Sequence, residues 1–306
     1  MMIERRSTMK SSIREQHTAY WMLVLPGFLI YFMVLAFPTV VSILLSVSNF
    51  KGGQLFGGKN PWKIVGFYKY KVLFRDPYFY MALKNNMWIV LISVFGQIPL
   101  GFILAYILYR GIVKAADFFQ SMIFMPSVIS TVVIGILWSA FFSPRGAYPE
   151  LIKLFKPDYV YQGSVNHPMI PVLFVILWMY TGNYLIIFIA NLQKIDSSVI
   201  EAAKIDGASE MQALRYIILP ALSGVIVTSA ILAISGSLKS FDLIYVMTAG
   251  GPAHQTSVLS VYMYDKAFIN APDYPMANAI STVMIVISFA LIGLTKLAEK
   301  KFGGRE

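Results

Sequence analysis

The feature that most constrains this chain is a series of long runs without Asp, Glu, Lys or Arg. The runs are Gln16–Phe50, Asn85–Tyr109, Phe118–Pro144, Tyr159–Gln193, Tyr216–Leu238, Leu243–Tyr264 and Tyr274–Thr295. A helix that crosses a bilayer needs about 20 apolar residues, so length alone permits seven spans. Only 13% of the residues are charged, against about 25% in soluble domains. The chain is therefore predicted to be an integral membrane protein.

The sixth run is the one that does not fit a membrane-spanning helix. Its middle carries Gly250, Gly251 and Pro252, followed by polar residues through Ser257, and such a backbone would leave polar groups unsatisfied in lipid. We therefore interpret residues 243–264 as an extramembrane or re-entrant connection. The resulting fold class is an all-α membrane protein, a polytopic bundle of six transmembrane helices. The predicted spans are about 19–48, 85–109, 118–143, 168–192, 217–238 and 275–297.

Six spans place both ends of the chain on one side of the membrane. The first run is too long for the apolar core of a signal peptide and lacks a small-residue cleavage site, so it is kept as a membrane helix. Basic residues divide almost evenly between the two sides, but those on the N-terminal side occupy shorter connections, which modestly favours cytoplasmic termini. Residues 1–18 then form a cytoplasmic segment, residues 19–298 the transmembrane domain and residues 299–306 a cytoplasmic tail.

Several kinds of chemistry are disfavoured by what the chain lacks. No ionisable residue lies centrally in a predicted span, whereas proton- or sodium-coupled carriers usually keep such groups at mid-membrane. His17, His167 and His254 are far apart in sequence, so we expect no metal site and no catalytic residue. A P-loop-like stretch ends in Lys59 but has Asn60 where Ser or Thr should bind magnesium. The net charge of +10 is spread among the connections, which fits anionic lipid better than nucleic acid.

The segment Ser197–Leu222 concentrates charge between two of the apolar runs. Ser198 with Glu201 matches the S-x-x-E capping box, in which each residue satisfies a free backbone N–H at a helix start. Ser209 with Gln212 matches a second capping box. The spacing therefore predicts two consecutive short helices before the next span.

Three further features turn these helices into an elbow. Asp206–Gly207 predicts a stop between them, because glycine adopts the left-handed conformation after a helix end at no steric cost. Met211, Leu214 and Ile218 fall at i, i+3 and i+7 and are predicted to form one apolar stripe. Pro220 can kink the chain as it enters the membrane.

The apolar stripe of the elbow must be buried against lipid or against another protein. Lipid headgroups are one possibility, but interfacial helices favour Lys and Arg on their polar face. Here three acids, Glu201, Asp206 and Glu210, stand against Lys204 and Arg215. We therefore predict that a groove on a partner protein receives the elbow.

The stretch EAAKIDGASEMQALRYIILP resembles the EAA loop of binding-protein-dependent ABC importer permeases, whose pattern is E-A-A-x3-G-x9-I-x-L-P. The resemblance implies a type I ABC importer permease fold, with a cytoplasmic coupling loop at residues 197–220 that docks into a cleft on an ATPase subunit. The coupling residues that it implies are Glu201, Ala202, Ala203, Asp206, Gly207, Met211, Leu214, Ile217, Leu219 and Pro220. It also implies a bacterial inner-membrane protein with cytoplasmic termini. Such a subunit is not an enzyme and holds no cofactor, since ATP and magnesium are bound by a separate ATPase dimer.

The resemblance extends over roughly residues 15–300. FDLIYVMTAGGPAHQTSVLSVYMYDKAF and TVMIVISFALIGLTKLAEK resemble the corresponding parts of sugar permeases of the maltose and glycerol-phosphate type, and the chain is similar to their compact six-span members. The partners implied are a second, similar permease, the ATPase dimer, an extracytoplasmic substrate-binding protein and membrane lipid. Small residues in the fifth span, such as Ser229, Ala233 and Gly236, would let helices pack closely.

The resemblance also implies where a carbohydrate would bind. The corresponding positions are Met179, Tyr180 and Asn183 in the fourth span and Ser237 and Ser240 at the end of the fifth. An aromatic ring beside amide and hydroxyl groups suits a sugar. The alternatives left open are that these residues only hold helices together, that the partner permease lines the path, and that the solute is a polyol or a sugar phosphate. A self-sufficient secondary transporter is the competing class.

Overall fold

The computed structural model describes residues 20–55, 62–156, 168–269 and 271–302. The predicted N-terminal segment 1–18, residues 303–306 of the predicted tail, two of the three histidines and the end of the P-loop-like stretch lie outside the described residues. The helices of the described part are α1 (Tyr20–Ser46), α2 (Tyr68–Leu73), α3 (Pro77–Tyr109), α4 (Ala116–Val128), α5 (Thr131–Phe141), α6 (Ala147–Lys153), α7 (Met169–Leu192), α8 (Ser197–Ile205), α9 (Glu210–Ala221), α10 (Ser223–Leu238), α11 (Asp242–Thr248), α12 (Leu259–Phe268) and α13 (Tyr274–Phe302). Apart from one isolated bridge between Ser48 and Ile64, this part of the chain contains no strand.

Within the described residues, four helices are long and apolar enough to cross a membrane by themselves: α1, α3, α7 and α13. Two bent pairs raise that number to six if each pair is one span: α4 with α5, at 94°, and α9 with α10, at 63°. The all-α bundle predicted from the sequence is thus confirmed. Helix α3 begins before the predicted span 85–109, because Asp76 accepts a hydrogen bond from the N–H of Tyr78 and Pro77 occupies the first helical position.

Helix α7 is the centre of the bundle. It packs mainly against α3 and α4. In the apolar stretch of this helix 56% of the residues are buried, against 6% in that of α1. The approach to α4 is close: a Cβ on Gly182 would lie 2.5 Å from the carbonyl oxygen of Ile123. Only glycine fits there without moving backbone, so this residue sets the distance between the two helices.

Residues 243–264, predicted not to span the membrane, form α11, a turn and the start of α12. Amide side chains on α3 hold this connection. The Nδ2 of Asn86 donates to the carbonyl of Ser237 at 3.0 Å, and its Oδ1 accepts from the N–H of Leu259 at 2.7 Å. The neighbouring Asn85 donates to two carbonyls of the turn, each at 2.8 Å. Buried polar groups of an irregular segment are satisfied in this way inside an apolar bundle.

Candidate functional site

A cavity lies in the bundle, between α3, the α4–α5 bend, α7 and the end of α10. Its volume is about 600 Å³. Polar groups from several elements reach it, and they include Ser93, Gln97, Thr131, Tyr180, Asn183, Lys239, Ser240 and Asp242. A cavity with apolar walls and a few convergent polar groups is the usual form of a small-molecule site.

Helix α7 carries three residues predicted to contact substrate, and two of them line the cavity. Tyr180 and Asn183 are one turn apart and both line the cavity. Met179 is 1% exposed and packs in a core cluster with Val175 and Ile176. Met179 therefore does not line this cavity, because its side chain lies on the buried side of the helix, and its contact with substrate stays a prediction.

The two predicted serines do not share a helix face, because α10 ends at Leu238. Ser237 lines the cavity but is 4% exposed, and its hydroxyl donates to the carbonyl of Ala233 at 2.7 Å and lies 3.1 Å from the hydroxyl of Ser93. Ser240, beyond the helix end, is half-buried and also lines the cavity. The helix-joining alternative thus describes Ser237, whereas Ser240 remains a candidate contact.

Sequence reasoning missed several cavity residues. Gln97 lies in a π-helical segment of α3, and its Nε2 donates to the carbonyl of Ile176 on α7 at 2.7 Å. Phe241 adds an aromatic ring at the end of α10, stacked on Tyr245 with centroids 5.1 Å apart. An amide within the apolar run ISVFGQIPL was the available signal for Gln97. For Phe241 no local signal existed, because the direction of its ring depends on how α11 folds back.

Lys239 and Asp242 are three residues apart in the sequence, the spacing of an i, i+3 pair on a helix, but they form no salt bridge in the described part of the chain. They are not on one helix, since Lys239 follows the last residue of α10 and Asp242 begins α11. Both are exposed and both line the cavity. They place one charge of each sign at its edge.

A second feature lies at the other end of α10: the elbow formed by α8 and α9. Its first helix is capped by Asp196, whose carboxylate accepts from the N–H of Ser198 at 2.9 Å. The predicted capping box of Ser198 and Glu201 is therefore wrong, since an Asx cap two residues earlier starts the helix. These backbone and side-chain hydrogen bonds hold the pKa of Asp196 below its usual value.

The second half of the elbow follows the prediction. The Ser209 hydroxyl accepts from the N–H of Gln212 at 3.3 Å, and the Gln212 side chain accepts from the N–H of Ser209 at 2.7 Å. Gly207 has φ = +83°, the left-handed conformation predicted for the stop. Between them the capping box and the glycine fix the angle of the elbow.

The apolar stripe predicted on α9 is divided in the structure. Ile218 is 1% exposed and, with Leu214, packs into the core cluster formed by α3, α7 and α10. Met211 is 68% exposed, and so the predicted single outward stripe is wrong. The outward apolar surface consists instead of Met211 with Ile205, 86% exposed, and Tyr216, 70% exposed.

The remaining coupling residues surround this outward surface. Glu201, Ala202, Asp206, Gly207 and Pro220 are exposed, and Ala203, Ile217 and Leu219 are half-buried. A shallow groove of about 320 Å³ runs along the inside of the elbow and is lined by residues that include Asp206, Gly207, Gln212, Tyr216 and Ile217. Pro220 lies just before the 63° bend into α10.

The apolar helices, the cavity between them and the exposed elbow together define a multi-pass membrane transport protein. Comparison with known families makes this more specific. Residues 97–304, more than half of the chain, match the family described as "Binding-protein-dependent transport system inner membrane component", and the chain belongs to that family. Members are non-catalytic transporter permeases, and the family together with the apolar helices makes the chain a multi-pass inner-membrane protein.

Curated relatives match this chain over most of their own length. The lactose transport system permease protein LacF of Rhizobium radiobacter is 30% identical over 92% of this chain and 94% of that protein. The multiple sugar-binding transport system permease protein MsmF of Streptococcus mutans is 30% identical over 95% and 99%. A probable ABC transporter permease protein of Bacillus subtilis, YurN, is 32% identical over 86% and 89%.

A solved structure has the same fold. It is a chain of a bacterial ABC transporter involved in the import of the acidic polysaccharide alginate, with a TM-score of 0.79. The match covers 96% of this chain and 99% of that chain, at 22% identity. The ABC importer permease fold predicted from the EAA resemblance is thus confirmed.

Proposed function

We propose that the chain is the permease half of an ATP-driven importer that moves a carbohydrate through the cavity by alternating access. The observation that carries the carbohydrate assignment is the lining of that cavity. Tyr180 and Phe241 offer ring faces, Asn183 and Ser240 offer neutral hydrogen-bonding groups, and α7 presents Tyr180 and Asn183 together. Rings pack on the apolar faces of a sugar while amides and hydroxyls bind its hydroxyl groups. Relatives named for lactose, multiple sugars and alpha-glucosides support the same class.

ATP and magnesium are held by a separate ATPase dimer, and the elbow is the surface on which it acts. Ile205, Met211 and Tyr216 expose apolar surface beside Glu201 and Asp206. Burying one large apolar side chain stabilises a contact by about 1.5–3 kcal/mol before ordering costs. An outward patch of three such residues with acids around it fits a protein groove better than anionic lipid.

The rest of the assembly follows from the same reasoning. Helix α1 has only 6% of its apolar window buried, which leaves surface for lipid and for a second, similar permease. An extracytoplasmic binding protein delivers the solute at the end opposite the elbow. Contact of the elbow with a cytoplasmic ATPase places both termini in the cytoplasm.

The direct test is reconstitution. The tagged chain is purified in mild detergent, its co-purifying proteins are identified, and the complex is placed in vesicles with its binding protein and radiolabelled mono- and oligosaccharides. We expect an ATPase, a second six-span protein and uptake that requires ATP. Polyols and sugar phosphates are assayed in parallel, and preference for one of these would overturn the carbohydrate assignment alone. Uptake by the isolated chain driven by an ion gradient would overturn the whole proposal in favour of a secondary transporter.

A further inference from the structure

Glu210 occupies an unusual position at the elbow. It is the first residue of α9, and its carboxylate Oε1 forms an ion pair with Nη2 of Arg110 at the end of α3. The same oxygen lies 3.5 Å from Nζ of Lys204 in the last turn of α8. One carboxylate therefore contacts cations from two other helices.

The pair with Arg110 connects the elbow to the bundle. Arg110 is the C-cap of α3, where a cation also interacts favourably with the helix dipole. Its side chain is 22% exposed, whereas that of Glu210 is 55% exposed. Among the described residues, this is the one ion pair between the elbow and another part of the chain.

Apolar contacts beneath the pair hold the elbow independently of charge. Ile200 and Ile218 are buried in one cluster with Leu108 of α3 and Leu192 of α7. A partly exposed ion pair adds little to folding beyond such a cluster, because solvent screens it. The pair instead fixes the orientation of the elbow, since it holds the start of α9 against the end of α3.

Helix α3 continues from Arg110 to the cavity. Its π-helical segment carries Ser93 and Gln97, which line the cavity, and Gln97 donates to the carbonyl of Ile176 on α7 at 2.7 Å. A continuous helix thus connects Arg110 to a residue that joins α3 to α7. Packed helices and hydrogen bonds are the physical means by which two distant sites become coupled.

We propose that Glu210 is a positioning residue that ties the elbow to α3 through Arg110, so that motion of the elbow reaches the cavity along α3. The proposal rests on the proposed function, because it requires an ATPase that acts on the elbow. It concerns the efficiency of transmission and not the docking itself. Removing the pair should therefore lower the amount of solute moved per ATP hydrolysed, while the ATPase still binds.

The experiment compares Glu210→Gln, Arg110→Gln and the charge exchange Arg110→Glu with Glu210→Arg, each in the complete reconstituted transporter. Glu150→Gln is the matched control, because Glu150 also forms an exposed ion pair, with Lys153 at 2.7 Å, away from the elbow. We expect either single variant to lower solute uptake per ATP by about two- to fivefold, the effect of losing a partly exposed ion pair. The exchange should recover most of the wild-type ratio, and the control should not change it.

Three results would overturn the proposal: an unchanged ratio in both single variants, a loss of uptake that only follows lost ATPase binding, or an exchange that performs no better than Glu210→Gln. The last comparison tests the pair itself, since exchanged charges attract again only if the two side chains face each other. Transmission is separated from docking by the ratio of uptake to ATP hydrolysed, measured beside ATPase binding. Failure of the proposed function is distinguishable, because the wild-type chain would then show no ATP-driven uptake at all.

Discussion

The elbow and the cavity lie at opposite ends of α10 and are specified in different ways. The elbow, residues 196–222, is built from contacts between near neighbours: an Asx cap, a left-handed glycine and a capping box. The cavity is built from residues more than a hundred positions apart, such as Gln97 and Ser240. Local changes should therefore alter the elbow one element at a time, whereas the cavity should tolerate changes that preserve helix packing.

The largest effect is expected at the turn of the elbow. Gly207→Val forces a β-branched residue to φ = +83°, at a cost of roughly 1–2 kcal/mol or a change of elbow angle. We expect ATP-driven uptake to fall by about tenfold or more, with normal membrane insertion. Gly207→Asn is the matched control, since asparagine tolerates this conformation, and it should keep most of the uptake. Equal uptake in the two variants would mean that the angle of the elbow does not matter.

An intermediate effect is expected in the cavity. Tyr180→Ala and Asn183→Ala should each raise the KM for solute uptake by about three- to tenfold. The first removes a ring contact and the second a hydrogen bond, and each such interaction contributes about 1 kcal/mol to binding. Met179→Leu changes a buried neighbour with little change in volume, and it should leave the KM unaltered. A shift in substrate range with either alanine variant would identify that residue as a specificity contact. An effect of Met179→Leu equal to that of Tyr180→Ala would contradict the conclusion that Tyr180, and not Met179, faces the cavity.

The smallest effect distinguishes the two possible caps of α8. Asp196→Ala removes the acceptor for the N–H of Ser198 and should lower uptake by less than about twofold, because the helix is also held by Ile200 in the core. Ser198→Ala should have no measurable effect on uptake or on the thermal stability of the complex. A stronger effect of Ser198→Ala would restore the capping box predicted from the sequence.

The same contrast explains what could be predicted from the sequence. Gly207 and the capping box of Ser209 with Gln212 were correctly predicted, because their hydrogen bonds join residues that are close in sequence. The start of α8 was misplaced since Asp196 and Ser198 are both good N-cap residues, and sequence alone does not rank them.

The faces of the helices were harder to predict. Met211, Leu214 and Ile218 have helical spacing, yet Leu214 and Ile218 turn into the chain's own core while Met211 points outward. Periodicity gives a common face but not what covers it. A π-helical segment over Leu214–Ile218 also shifts the register within α9, which a regular 3.6-residue repeat does not anticipate.

The cavity was predicted only where the resemblance supplied positions. Tyr180, Asn183 and Ser240 reach it, whereas Met179 does not. Gln97 and Phe241 went unnoticed, because their place at the cavity depends on how α3 packs on α7 and on how α11 packs on α5. Such long-range packing leaves no short sequence pattern.

Cross-linking at the outward surface of the elbow tests the central claim most directly. The chain has no cysteine, so a single Ile205→Cys variant carries one reactive thiol, at a position that is 86% exposed. The matched control is Phe155→Cys, which lies beyond α6, away from the elbow, and is 87% exposed. In the purified complex, a short thiol-directed cross-linker should join Ile205→Cys to the ATPase and leave Phe155→Cys free of it. A cross-link to the ATPase from Phe155→Cys, or none from Ile205→Cys in an actively transporting complex, would contradict the account.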